Sequence, residues 1–274
     1  MKKVFFAIIV IGIVASILGG VYMVHRYSLI LLSTTWQGEV RITRDTLVLP
    51  WATLTILPGT KVLFKQNPQK PGRTWTKYAD DFITRHNDPT GTQEYQDAHF
   101  DITGRLIAVG TPQESIIFTS ASADPDYADW SQLVLFSGSR LEYVEVSYAH
   151  NGVNIDGDGV TVRNSKIHDS LWSCIDIFSS NNVIEGNEVF HCWHQAIGVK
   201  AKKGNVIARN VVHDAQVGVN CEYGADPAIV QNRFEDAFIT PECPEGQGNS
   251  IEEREPDTKG GTYQGKLIYP AHDN

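Results

Sequence analysis

A chain of 274 residues, 42% hydrophobic and 20% charged, is long and apolar enough to fold around a sizeable core. Its formal net charge of −9 excludes a nucleic-acid binder, because phosphate contacts need clusters of Lys and Arg that the sequence lacks. Four cysteines are too few for a disulfide scaffold, and with no Cys-x-x-Cys pair nothing points to zinc.

Lys2 and Lys3 precede an uncharged run from Val4 to Val24, 21 residues that span about 31 Å as a helix, close to the hydrocarbon thickness of a bilayer. The run reads either as an uncleaved membrane anchor or as a cleaved signal peptide, although it is longer than a signal's apolar region and no Ala-x-Ala site follows. Either way residues 1–3 stay cytoplasmic and the remainder is exported, and the uncleaved anchor gives a single-pass protein with its bulk outside the membrane. Residues 25–35 read as a linker.

From residue 36 to 240 the chain repeats. Gly152-Val153-Asn154-Ile155, Cys174-Ile175-Asp176-Ile177, Ala196-Ile197-Gly198-Val199 and Gly218-Val219-Asn220-Cys221 align without gaps, each 22 residues after the last. Val146, Ile167, Val189, Val212 and Phe234 form a second apolar column, and Leu141, Val162, Ile184, Ile207 and Ile229 a third. Three short apolar stretches per period leave no room for a helix, so the expected unit is a coil of three strands whose stacking lines up like residues about 4.8 Å apart. Asn187, Asn210 and Asn232, with Ser165 one coil earlier, fit a turn ladder in which amides bond to the coils above and below.

The stretches Val183-Ile184-Glu185-Gly186-Asn187-Glu188-Val189 and Val206-Ile207-Ala208-Arg209-Asn210-Val211-Val212 resemble the repeats of right-handed parallel β-helices of the pectate-lyase-like superfamily. Leu54 to Phe64, Gly104 to Thr111 and Ile116 to Ser120 are similar to opening coils of exported members. The resemblance implies an all-β right-handed parallel β-helix of about 22 residues per coil and leaves the activity open, because this scaffold hosts many chemistries. Polygalacturonase-like members carry a Gly-His-Gly, a paired aspartate and an Arg-x-Lys. Here Asp176 has no second aspartate beside it, and the Asp-Pro-His of mannuronan epimerases is met only by Asp124-Pro125-Asp126 and Asp226-Pro227-Ala228.

Residues 66–100, with Trp75, Tyr78, Phe82, Tyr95 and three prolines, read as a polar excursion from the coil, either functional or covering the solenoid. Residues 241–274 read as a C-terminal cap and acidic tail; residues 205–274 carry 12 Asp and Glu against 5 Lys and Arg.

The candidate site is a double polar column. Ser147, His168, Phe190, His213 and Glu235 align at one position, and Tyr148, Asp169, His191, Asp214 and Asp236 at the next. His168, Asp169, His191, His213 and Asp214 would form a general acid/base set or a metal site, with His150 and His194 extending the patch. The competing reading is a solvated ladder that stabilises turns. Lone His86 and His272, and Lys200, Lys202 and Lys203, read as surface residues. Cys221 and Cys243, one coil apart, read as a disulfide or as two buried thiols, whereas Cys174 and Cys192 sit in different columns and read as packing residues.

The expected protein is therefore a membrane-anchored surface β-helix of binding or structural type, with a linear ligand such as a polysaccharide and no nucleic-acid partner. The alternative is a carbohydrate-active enzyme, lyase or hydrolase, working through the His/Asp column. No cofactor is expected, except Ca²⁺ if the ligand is a polyuronate.

Overall fold

The computed structural model describes residues 27–66 and 101–252, apart from 201, 202, 216, 236, 241, 242 and 245. Eight coils begin at Tyr27, Asp45, Ile102, Leu133, Val153, Ser173, Gln195 and Val217, each contributing one strand to each of three sheets. Every pairing joins a strand to its equivalent in the next coil and is parallel, giving sheets of nine, eight and nine strands.

The three apolar columns read from the repeat face the bore in register. Val153, Ile175, Ile197 and Val219 stack in the first sheet, Leu141 to Ile229 in the second, and Val146 to Phe234 in the third. Most are 0% exposed, and each such Val or Ile contributes about 1.5–3 kcal/mol through burial. Because all sheets are parallel and curl around one core, alternate residues point outward, so every coil shows short polar rows on three flanks.

At the turn between the second and third sheets the expected Asn ladder is present. The backbone N–H of Ser165 donates to Asn187 Oδ1 at 3.0 Å, that of Asn187 to Asn210 at 3.0 Å and that of Asn210 to Asn232 at 2.9 Å. Asn249 adds a rung after Asn232. A second, shorter ladder at the turn between the first and second sheets joins Val160 to Asn182 and Asn182 to Asn205.

The first coil starts inside residues 25–35, where a linker is expected. Ile30 turns into the bore, and Thr34–Trp36 pairs with Leu54–Ile56, so this stretch carries the coil pattern already. At the other end Ser250–Glu252 pairs with Arg233–Glu235 and continues the third sheet by one more level. The candidate membrane segment 4–24, the stretch 67–100, and His86 and His272 lie outside the described residues. Among the described residues no helix is long and apolar enough to cross a membrane.

Two disulfides cross-link the solenoid. Cys221 joins Cys243 from the next coil, with Cα atoms 5.0 Å apart. Cys174 and Cys192, expected as packing residues, are joined as well, with Cα atoms 5.5 Å apart. The two columns face each other where the third sheet hands the chain to the first, so residues from different columns meet across that corner. The bridge closes a loop of 18 residues, almost one full coil.

Candidate functional site

The predicted polar column lies on the outer flank of the third sheet. Ser147, His168, Phe190, His213 and Glu235 occupy one register position in five successive coils. The residues that follow, Tyr148, Asp169, His191 and Asp214, have φ of 62°, 50°, 50° and 48°. This left-handed kink rotates the chain so that Ser170, Cys192 and Ala215 point inward again. Asp and His tolerate this conformation better than most residues, so backbone geometry alone explains part of their recurrence.

Each of the two histidines in the first row lies between two carboxylates. His168 Nδ1 is 2.7 Å from Asp169 Oδ2, and its Nε2 is 3.5 Å from Glu145 of the preceding coil. His213 repeats the arrangement, 2.7 Å from Asp214 and 3.3 Å from Glu188. Asp169 also takes His191 Nδ1 at 3.0 Å and the Tyr127 hydroxyl, which donates to it at 3.2 Å. The structure thus brings His168, Asp169 and His191 into one cluster and His213 with Asp214 into a second.

Burial opposes a charge on His168, yet the hydrogen bonds and charges of Asp169 and Glu145 outweigh it and raise the imidazole to about 9. The hydrogen bond to Asp214 likewise raises His213 against the cost of burial. For Asp169, burial pushes upward, but the hydrogen bonds to His168 and His191 hold the carboxyl far below its ordinary value. His168 is therefore a cation at neutral pH, with both ring N–H groups donating to carboxylates, and the same pairing favours the charged form of His213.

Phe190 fills the level between them. Its ring lies parallel to both imidazoles, at 4.6 Å from His168 and 4.8 Å from His213. Both faces of the Phe190 ring are consumed within the stack. A sugar ring stacks on an aromatic face, so Phe190 offers it no platform. On the neighbouring corner Trp172 and His194 stack in the same way at 4.1 Å, and burial pushes His150, one coil earlier, down to about 4. Among the described residues no group of three His, Cys, Asp or Glu side chains could hold a metal ion.

A second polar face lies on the first sheet. Asn154, Asp176, Gly198 and Asn220 share one register position in four coils, where Asn154 and Asn220 are half-buried and Asp176 is only 1% exposed. Gln195 donates to Asp176 Oδ1 at 2.9 Å and accepts from Asn220 at 2.8 Å; Asn154 donates to Gln132 at 2.6 Å. A Cβ at Gly198 would overlap the Gln195 amide and the Asp176 carboxylate, so glycine leaves room for their contact. Lys200 Nζ is 3.5 Å from Asp176 Oδ2 and sits 4.8 Å above the ring of Phe178. Burial raises Asp176 despite this cation. The signal for this face is the third residue of each gapless repeat segment, and it is masked because Asp176 invites comparison with paired catalytic aspartates.

Residues 128–253 match the family model described as right handed beta helix region. The chain is a right-handed β-helix repeat protein. No curated protein and no solved structure matches the chain of this β-helix protein.

Proposed function

We propose that this β-helix protein is a membrane-anchored, extracytoplasmic binding scaffold whose ligand is a linear hydroxyl-rich chain such as a polysaccharide, lying along the outer face of the first sheet. The observation that carries the reading is the row of Asn154, Asp176 and Asn220 at one register position of the first sheet, in which Asn154 and Asn220 are half-buried and meet solvent while Asp176 and Gln195, each 1% exposed, bond within the row. Such groups both donate to and accept from sugar hydroxyls, and their spacing suits a ligand that is itself a repeat. Phe178, 46% exposed, stands at the edge of this face as an apolar contact. Two disulfides support an oxidising compartment, in keeping with export behind residues 4–24. A polyuronate ligand would bring Ca²⁺ with it, since a chain of net charge −9 repels polyanions.

The His/Asp column supports the alternative less well. His168 is held as a cation and both nitrogens of His168 and of His213 are engaged, which suits a fixed charge better than a group that cycles a proton.

The test is affinity electrophoresis against neutral and acidic polysaccharides, run alongside an assay for new reducing ends and unsaturated uronides. Retardation without product is expected, and Asn154→Ala combined with Asn220→Ala should weaken retardation at least fivefold with the melting temperature kept. Product release by the wild-type chain that disappears in His191→Ala would overturn the reading in favour of a carbohydrate-active enzyme working through His168, Asp169, His191, His213 and Asp214.

A further inference from the structure

The N-terminal end of the solenoid gathers exposed apolar side chains. Leu31, Leu32 and Trp51, exposed by 53%, 77% and 72%, are three of the six large hydrophobic residues exposed among the described residues. All three lie at one corner, in the turns between the first and second sheets of coils 1 and 2. The other three, Phe178, Tyr223 and Ile251, are scattered along the rest of the solenoid. The Trp51 indole N–H donates to the Leu31 carbonyl of the coil below at 2.9 Å, so its polar atom is satisfied and its ring is turned toward the end. On the same end Trp36 and Val40 line a concavity that Arg44 shares with Arg41, whose exposed ion pair to Glu39 at 2.8 Å is open to exchange for a headgroup anion.

Charge divides the chain along the same direction. Residues 25–66 hold 5 Lys and Arg against 2 Asp and Glu, a balance of +3. Residues 67–274 hold 16 and 30, a balance of −14, and Lys2 and Lys3 beyond the bilayer supply the remaining +2 of the net −9. The first strand begins at Tyr27, three residues after Val24, and three extended residues reach about 10 Å at most.

We propose that the N-terminal end is a lipid-facing foot: Leu31, Leu32 and Trp51 dock into the headgroup region of the bilayer that residues 4–24 cross, with Arg41 and Arg44 against anionic headgroups. This rests on the anchored reading given above and adds an orientation to it. Trp and Leu beside cationic side chains are the composition of interfacial anchors, and anionic lipid attracts basic groups only within about a Debye length of roughly 8 Å. The acidic remainder is repelled by the same surface, so the solenoid stands upright and its eight coils rise roughly 40 Å. The polar face of the first sheet is then held away from the membrane, running outward from it.

The full chain is reconstituted in vesicles of phosphatidylcholine and phosphatidylglycerol, with an environment-sensitive fluorophore on Leu32→Cys or Tyr223→Cys. Both positions are exposed, so neither label enters the bore. With brominated acyl chains, emission from position 32 should fall at least twofold and emission from position 223 should not change. Omitting phosphatidylglycerol, or combining Arg41→Glu with Arg44→Glu, should restore most of the emission. A chain that resists carbonate extraction yet shows no bromine quenching at position 32 overturns the docking and leaves the anchor standing. Protection of position 32 from aqueous iodide without bromine quenching overturns it too, assigning the patch to a cover by this chain or a second copy. Release by carbonate is a separate result that overturns the anchor itself, and the docking with it.

Discussion

Two of the polar columns that run along this solenoid solve the same problem differently. The Asn ladder at the turn between the second and third sheets is buried, and each amide bonds the backbone of the coil below. The His/carboxylate column on the third sheet bonds side chain to side chain, and its histidines keep 13% and 17% of their side-chain surface exposed. A column that serves backbone groups admits few residue types, here Asn and, at Ser165, a hydroxyl, because every rung must offer one donor and one acceptor at fixed positions. A column that serves only itself admits any set of residues whose charges close, which explains why Phe190 interrupts it without harm.

The contrast predicts unequal costs. Asn210→Ala leaves the N–H of Asn187 and the carbonyl of Ile184 without partners in the interior, an expected loss of about 4 kcal/mol at about 1–3 kcal/mol for each orphaned group. A shift in the urea midpoint corresponding to less than about 1 kcal/mol would show that the ladder is dispensable. Replacing Cys174 and Cys192 together by Ser releases an 18-residue loop and should cost about 3 kcal/mol, read in the same titration.

The exposed column should respond to pH instead. His168 is raised from 6.5 to about 9, so its contribution is complete below about pH 6.5 and is lost as pH rises through about 9. Stability should therefore drop by about 2 kcal/mol between pH 7 and pH 9, and His168→Gln should remove most of that slope. An unchanged slope in His168→Gln would assign the alkaline loss to other groups. Asp169, held low, acts in the opposite sense: its contribution is present above about pH 4 and fades as acid protonates it. The smallest effect belongs to His191→Ala. Its hydrogen bond to Asp169 is half-exposed, so the expected cost is about 0.5–1 kcal/mol, checked by thermal melting. A loss above about 2 kcal/mol would put His191 in the structural ladder.

Much of this architecture is legible in the amino-acid sequence. The bore columns follow from gapless 22-residue spacing, and Asn187, Asn210 and Asn232 from identity at one turn. The ladder of Asn182 and Asn205 is harder to see because it has only two asparagine rungs. The Cys174–Cys192 bridge is hidden because column alignment reports neighbours along the axis, and these residues meet across a corner. His168 beside Asp169 is visible as a pair, but its second partner Glu145 sits two positions away on another coil, and that contact needs the lateral register. Without Glu145 the pair reads as a poised acid and base; with it, as a fixed cation.

The excursion between coils 2 and 3 also sets an order of assembly. Elsewhere a strand finds its partner one coil on, as Val153 finds Ile175 at 22 residues, but Thr46 pairs with Ile102 at 56. Closing the longer loop costs about 0.8 kcal/mol more in chain entropy. In a one-dimensional stack, folding nucleates wherever neighbours are nearest in sequence and then propagates. The block from coil 3 to coil 8 is therefore expected to zip first, with coils 1 and 2 joining it last as a separate kinetic phase in refolding.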